Sequence, residues 1–271
     1  MNFFWIATAV IFSGTFASVA GLLLARKCIN FQDLRPSHDV GGYILSVVGT
    51  LYAVLLGFVI VDTMQQYQHA KQVTQMEADT LADIFIMATQ LHEPLRSRVQ
   101  TACKSYIDQV IETEWYQMSC GKSCPASRDK AVNLMRTLVE LAPNSDAEKL
   151  LYPSLVQESS LFWQNRQARL LTAENHLPLF EWAVLFLGAI IVIVFTFFFG
   201  LERVKLQVLM TALLGMLISL NFSLLLFFAY PYNSDLGIKA DAFKSVEDVF
   251  TDKDLNESEG HSKLAPEKED N

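Results

Sequence analysis

Four stretches of this 271-residue chain contain no aspartate, glutamate, lysine, arginine or histidine: Phe3 to Ala25, Val40 to Val61, Trp182 to Leu201 and Leu206 to Tyr230. Charged residues make up only 18% of the whole chain, against about 25% in an average soluble domain. Cysteine is scarce, at 4 residues, which excludes a disulfide-rich secreted module. Basic residues number 21 against 29 acids, and the net charge of −8 excludes a basic nucleic-acid binder. The 51% hydrophobic content, with 19 Phe, is clustered, so neither a disordered chain nor a purely soluble globule fits.

Enzyme signatures are also missing. His38, His69, His92, His176 and His261 form no His-x-x-x-His or Glu-x-x-His group. Cys120 and Cys124 bracket Gly121-Lys122-Ser123, which matches neither a zinc pair nor a thioredoxin motif. They form a candidate disulfide only where the compartment is oxidising. Cys28 and Cys103 read as packed thiols. There is no nucleophile elbow, phosphate-cradling loop or dinucleotide fingerprint. Glu112 and Glu114 stand two apart, so a helix points them to different sides and they cannot act as a dyad. A structural role is expected instead, with Glu114 paired to Arg166 or Arg169 and Trp115 filling the adjoining core. No enzyme activity, cofactor or metal ion is expected.

What is present is a membrane protein. A hydrocarbon core of about 30 Å takes about 20 apolar residues of helix, and all four uncharged stretches reach that length. Trp5, Tyr43, Trp182 and Tyr230 lie at their ends, where amphipathic rings favour the headgroup zone. The first stretch is read as an uncleaved anchor and not a signal peptide, because no Lys or Arg precedes it and the apolar run continues through Leu22, Leu23 and Leu24. The positive-inside rule does not orient the chain. Arg26, Lys27, Arg35, Arg203 and Lys205 in the two short linkers are balanced by Lys71, Arg166, Arg169, Lys239 and Lys244 on the other side.

The expected fold is all-α: transmembrane helices 3–25 and 40–61, an extramembrane helical domain 62–178, transmembrane helices 182–201 and 206–230, and a polar acidic tail over 233–271. Helical stripes run through Met76, Thr80, Ile84, Ala88 and Leu91, through Leu95, Val99, Ala102, Tyr106 and Val110, and through Ala131, Leu134, Leu138 and Leu141. Pro94, Gly121 to Pro125, Pro143 and Pro178 separate about four helices, and Pro153 is expected to kink or start one. Neither Gly nor Pro occurs between Gly57 and Pro94, so the second span is expected to run on unbroken into the domain, about 48 Å past the bilayer at 1.5 Å per residue. From Thr251 the tail holds seven acids and three lysines and is expected to be disordered.

No span offers a buried acid for proton relay. The second span does carry a row of small residues, Gly42, Ser46, Gly49, Ala53 and Gly57, with Thr50 beside it. Such a row lets helices approach closely or leaves room beside an axial pore. The opposite face offers Val47, Leu51, Val54, Leu55 and Phe58. In the fourth span Asn221, Ser219 and Ser223 are expected to bond a neighbouring helix.

Gly49 to Val61, Glu77-Ala78, Pro94-Leu95-Arg96, Tyr106, Glu114-Trp115, Arg166 to Leu170 and Leu177-Pro178 resemble the bestrophin-like family of bacterial multipass membrane proteins, over roughly residues 40 to 240. The bestrophins after which it is named are calcium-gated chloride channels, pentamers around one axial pore whose neck is lined by the second span. The resemblance implies a homo-oligomer in the bacterial inner membrane, a cytoplasmic central domain and passage of chloride or other small anions. It makes Ser46, Thr50, Leu51, Leu55 and Phe58 pore-lining candidates, and Glu77, Glu114, Trp115, Arg166 and Arg169 the structural motif. Three departures stand out. No acidic cluster has calcium-ligand spacing, the expected Arg-Arg doublet is Asn165-Arg166, and the Cys120 to Cys124 loop has no counterpart. The competing reading is a non-conducting scaffold or sensor whose helical domain binds a partner.

Overall fold

The computed structural model describes residues 3–28, 38–120, 122, 124–174, 177–198, 203–233 and 236–251. In order they form α1 (Phe3–Cys28), α2 (His38–Ala88), α3 (Leu95–Gln109), a π-helical turn (Val110–Glu114), α4 (Trp115–Ser119), α5 (Pro125–Val139), α6 (Asp146–Glu174), α7 (Leu179–Phe197), α8 (Val204–Ala229) and α9 (241–251). No strand occurs among the described residues. Helices α1, α2, α7 and α8 are each long and apolar enough to cross a membrane. The all-α, four-span class expected from the sequence is therefore the observed one. Arg35, His176, His261 and the acidic residues from Asp252 onward lie outside the described residues.

The chain divides into two compact units, Met1–Gln68 with Asn175–Gly237, and His69–Glu174 with Ile238–Asn271. In the first, α1 packs along α8 through four small residues. A Cβ on Gly14 would collide with the Ser219 hydroxyl, and one on Gly215 would stand 2.5 Å from Ser18 Oγ. Small side chains one turn apart on both helices thus set the approach, as membrane interfaces favour. Ser18 donates to the Gly14 carbonyl at 2.8 Å and Ser219 to that of Gly215 at 2.7 Å. Ser223 and Asn221 likewise bond the carbonyls of Ser219 and Leu217, at 2.9 Å each. This corrects the expectation of bonds to a neighbouring helix. Without water, a short polar group finds its nearest acceptor one turn back on its own helix.

The packed face of α2 meets α7. Tyr52 donates to the Leu185 carbonyl at 3.2 Å, and its ring lies where a Cβ on Gly188 would stand, 2.5 Å away. Phe186 and Phe222 stack at 4.7 Å between ring centroids and tie α7 to α8. Gly188→Leu is expected to displace Tyr52 and lower stability by about 1–3 kcal/mol, the usual cost of overpacking. Thermal unfolding of the purified protein in detergent would read this as a lower Tm, and an unchanged Tm would remove Tyr52 as the anchor of α2.

In the second unit, Leu81, Ile84, Phe85 and Ala88 of α2 meet Val99, Cys103, Tyr106 and Ile107 of α3, Leu134 and Leu138 of α5, and Leu155 and Phe162 of α6. Helix α2 ends at Ala88, short of Glu93. The amides of Thr89, Gln90 and Leu91 bond carbonyls three residues back, which tightens its last turn. Pro153 neither starts nor breaks α6, which runs through it. Helix α9 departs most from the sequence reading. Its Phe243, Val246 and Phe250 are buried in this core, and Phe250 stacks on Phe85 at 3.9 Å. Residues 241–251 are thus part of the folded unit and not of a polar tail.

Helix α6 begins with a capping box. Ser145 Oγ accepts the Glu148 amide at 3.1 Å, while the Glu148 carboxylate accepts the amides of Ser145, Asn144 and His92. The His92 ring also bonds it. The His92 amide and ring and then the Asn144 amide hold this carboxyl at about 2, far below its ordinary 4.5. A carboxylate held down in this way stabilises the fold fully above its ordinary value and loses that contribution as pH falls through the lowered one. Wild-type Tm is therefore expected to fall more steeply than that of Glu148→Gln between about pH 4.5 and pH 2. Parallel slopes would rule out this carboxylate as the acid-sensitive latch.

Candidate functional site

Two features gather the residues singled out from the sequence. The first is the free side of α2. At about 100° per residue, Leu45, Val48, Tyr52 and Leu56 share the packed face, and all belong to the membrane unit's core. Val59 and Ile60 pack against that core as well, and the remaining residues from Ser46 to Phe58 are exposed, Gly49 alone being half-buried. Ser46, Thr50, Ala53 and Gly57 form one exposed row, and Val47, Leu51, Val54 and Phe58 the next. Leu51 is 66% exposed, Phe58 72%, and Leu55 also faces outward. A Cβ on Gly49 or Gly57 would meet nothing within 4 Å. Among the described residues Ser46, Ala53 and Gly57 of the small-residue row are exposed, unlike the closely packed Gly14, Gly188 and Gly215. The bulky row also lies beside the small row, not opposite it, because the opposite side is occupied by the Tyr52 face. Thr50 donates to the Ser46 carbonyl at 2.8 Å, leaving its hydroxyl oxygen an acceptor on the exposed side.

The second feature is a cluster of charge in the core of the helical unit. Buried residues recur along α6 at Leu155, Ser159, Phe162, Arg166 and Arg169, three or four apart, so one apolar stripe delivers two arginines to the interior. Glu77 comes from the buried face of α2. Glu114 closes the π-helical turn, where the Trp115 amide reaches back to the Val110 carbonyl. The wider turn leaves Glu114 buried and Glu112 exposed.

Arg169 grips Glu77 with a fork, Nε to Oε2 at 2.6 Å and Nη2 to Oε1 at 3.1 Å. Its Nη2 also reaches Glu114 Oε2 at 3.0 Å, and Nη1 donates to Met118 Sδ at 3.3 Å. Arg166 grips Glu114 with a second fork, Nη2 to Oε1 at 2.6 Å and Nη1 to Oε2 at 2.9 Å. Tyr106 joins the two pairs, accepting from Arg166 Nη1 at 2.8 Å and donating to Glu77 Oε1. Two cations face two anions, so the buried cluster is neutral, and forked geometry is the strongest form of such pairs. Arg169 also lies 5.6 Å over the rings of Trp115 and Phe243, and Arg166 lies 5.4 Å over Tyr106.

The charges respond to one another. Burial pushes the Glu114 carboxyl up, but Arg169 and then Arg166 outweigh it and hold the group below the usual carboxylate range. Burial would lower both guanidinium values, yet their anionic partners drive them higher. The Tyr106 phenol is pushed well up by burial and then by Glu77. Glu114, Arg166, Arg169 and Tyr106 therefore keep one protonation state near neutrality, which suits a structural lock and not a proton carrier.

The structure thus brings together Glu77, Glu114, Trp115, Arg166 and Arg169. Tyr106 and Met118 belong with them, and so does Phe243. Cys120 and Cys124 are free thiols, the first exposed and the second buried with Ser127 Oγ donating to its sulfur at 3.2 Å. Burial pushes the Cys103 thiol up, which keeps it inert. The Cys28 side chain lies outside the description. No group of three metal-ligating side chains occurs among the described residues.

Four spans and a helical unit locked by buried ion pairs define a multipass, all-helical membrane protein. The chain belongs to the bestrophin-like family, whose domain matches residues 14–243. Its fold is shared with two point variants of a bacterial bestrophin homolog from Klebsiella pneumoniae. Each is 11% identical, with a TM-score of 0.67, covering 89% of this chain and 98% of the other. A structure described as a membrane protein is similar too, at 12% identity and TM-score 0.64 over 89% and 97% of the two chains. No curated protein matches the chain by sequence.

Proposed function

We propose that copies of this chain assemble around an axis with the exposed rows of α2 at the centre, and that small anions, chloride first, pass between them down their electrochemical gradient. The observation that carries this reading is the unpartnered side of α2, which extends over roughly 200° at about 100° per residue. A ring needs such a helix, with one face for its neighbour and one for the lumen. The small row suits close approach and the bulky row an apolar constriction that gates by dewetting. Pentameric assembly, a bacterial inner-membrane location, a cytoplasmic helical unit and the lack of catalytic activity follow from the family resemblance and belong to the same proposal.

Asp62 sharpens it. This exposed acid is one turn beyond Phe58 and continues the line of Leu51, Leu55 and Phe58. In a ring it places one carboxylate per subunit at the end of the constriction, where negative charge opposes anion entry. Purified protein in a planar bilayer under a chloride gradient is expected to conduct, with Asp62→Asn moving the reversal potential toward that of chloride. Silent bilayers from a monodisperse oligomer would overturn conduction and favour the scaffold reading. A reversal potential at the cation value in both proteins would overturn the anion assignment alone.

A further inference from the structure

The helical unit contains a cavity of about 330 Å³ that borders the ion network without being filled by it. Arg166 and Glu114 form part of its wall, Trp163 of α6 supplies an apolar surface, and Lys122 and Arg128 line it from the α4–α5 turn and the first turns of α5. Glu174 is the other acid in the lining, so three cations stand against two anions.

Two cations at this wall are left over. Arg166 is not one of them, since it is 1% exposed, its two terminal nitrogens are engaged by Glu114 and Tyr106, and its Nε has no surface open to a ligand. Lys122 and Arg128 are exposed, and neither forms an ion pair among the described residues. Two uncommitted cations and an aromatic wall share one cavity of the size small-molecule sites have.

We propose that this cavity binds a small soluble oxyanion, a carboxylate or phosphate on a compact body, with the oxygens meeting Lys122 and Arg128 and the body resting on Trp163. A guanidinium N–H is directional, so a polyatomic oxyanion suits it better than a halide. The inference concerns the helical unit by itself and holds whether or not the assembled chain conducts.

The test titrates the full-length protein in detergent with citrate and with inorganic phosphate at constant ionic strength, read by calorimetry. Saturable binding at one site per chain is expected, weakened at least tenfold in Lys122→Ala/Arg128→Ala and again in Arg128→Glu. Both replaced side chains are exposed, so each variant without ligand should keep the wild-type Tm. Alkylation of Cys124, which also lines the cavity, should slow in wild type when the anion is bound. The proposal is overturned if neither anion saturates, if the variants bind as wild type does, or if chloride displaces the anion at equal concentration.

Discussion

Arg169→Met is expected to lower the stability of the helical unit by about 3–5 kcal/mol, the usual cost of removing one partner of a buried ion pair. The substitution deletes both fork bonds to Glu77 and the bond to Glu114. Glu77, fully buried, would keep among the described residues only the Tyr106 hydroxyl against its charge. A folded domain has a margin of about 5–15 kcal/mol, so most of the unit's stability is at stake. Adding Glu77→Leu to Arg169→Met removes the stranded anion and should recover part of the loss. The cycle of the two single variants and the double should show coupling above about 1 kcal/mol. Thermal unfolding reads all four proteins. A single-variant loss below about 1 kcal/mol would mean the network is not what holds the unit together.

Phe58→Ala is expected to do the reverse, leaving stability nearly alone and changing conduction strongly. Phe58 is 72% exposed in its own chain, and in the proposed ring it faces the lumen. Removing one benzyl group per subunit widens an apolar constriction and eases its wetting. Lowering the barrier by about 1.4 kcal/mol would raise conductance roughly tenfold. Leu51→Ala should act in the same direction with a smaller effect. A scaffold would respond oppositely, with no current in either protein and a loss of stability wherever the side chain is buried by a neighbour. Single-channel conductance and Tm measured on the same preparations separate the two.

The membrane part was legible because lipid leaves so little freedom: an uncharged run of sufficient length has one use. The stripes of α3, α5 and α6 were legible for a similar reason, since an apolar period of three to four residues must face a core. Arg166 and Arg169 stand three apart, and that spacing alone puts them on one helix face. Their partners were harder. Glu77 is 92 positions from Arg169, and only the family resemblance drew it in. Nothing local marks the π-helical turn that orients Glu114. Helix α9 is hidden in the sequence although Phe243, Val246 and Phe250 keep helical spacing, because the acidic composition that follows dominates a short signal. On α2 two candidate faces could be read, but not the third, because its anchor is Gly188, a residue whose fit to Tyr52 exists only in three dimensions.

The central claim is that the exposed rows of α2 line the ion path, and the most direct test is chemical access to them during conduction. With the four native cysteines replaced by serine, Phe58→Cys would be exposed to a charged, water-soluble thiol reagent while bilayer current is recorded. Lumen lining predicts that modification changes the current stepwise and that permeant anions at high concentration slow the reaction. A current that stays constant while mass spectrometry shows complete modification would place Phe58 outside the path and contradict the account.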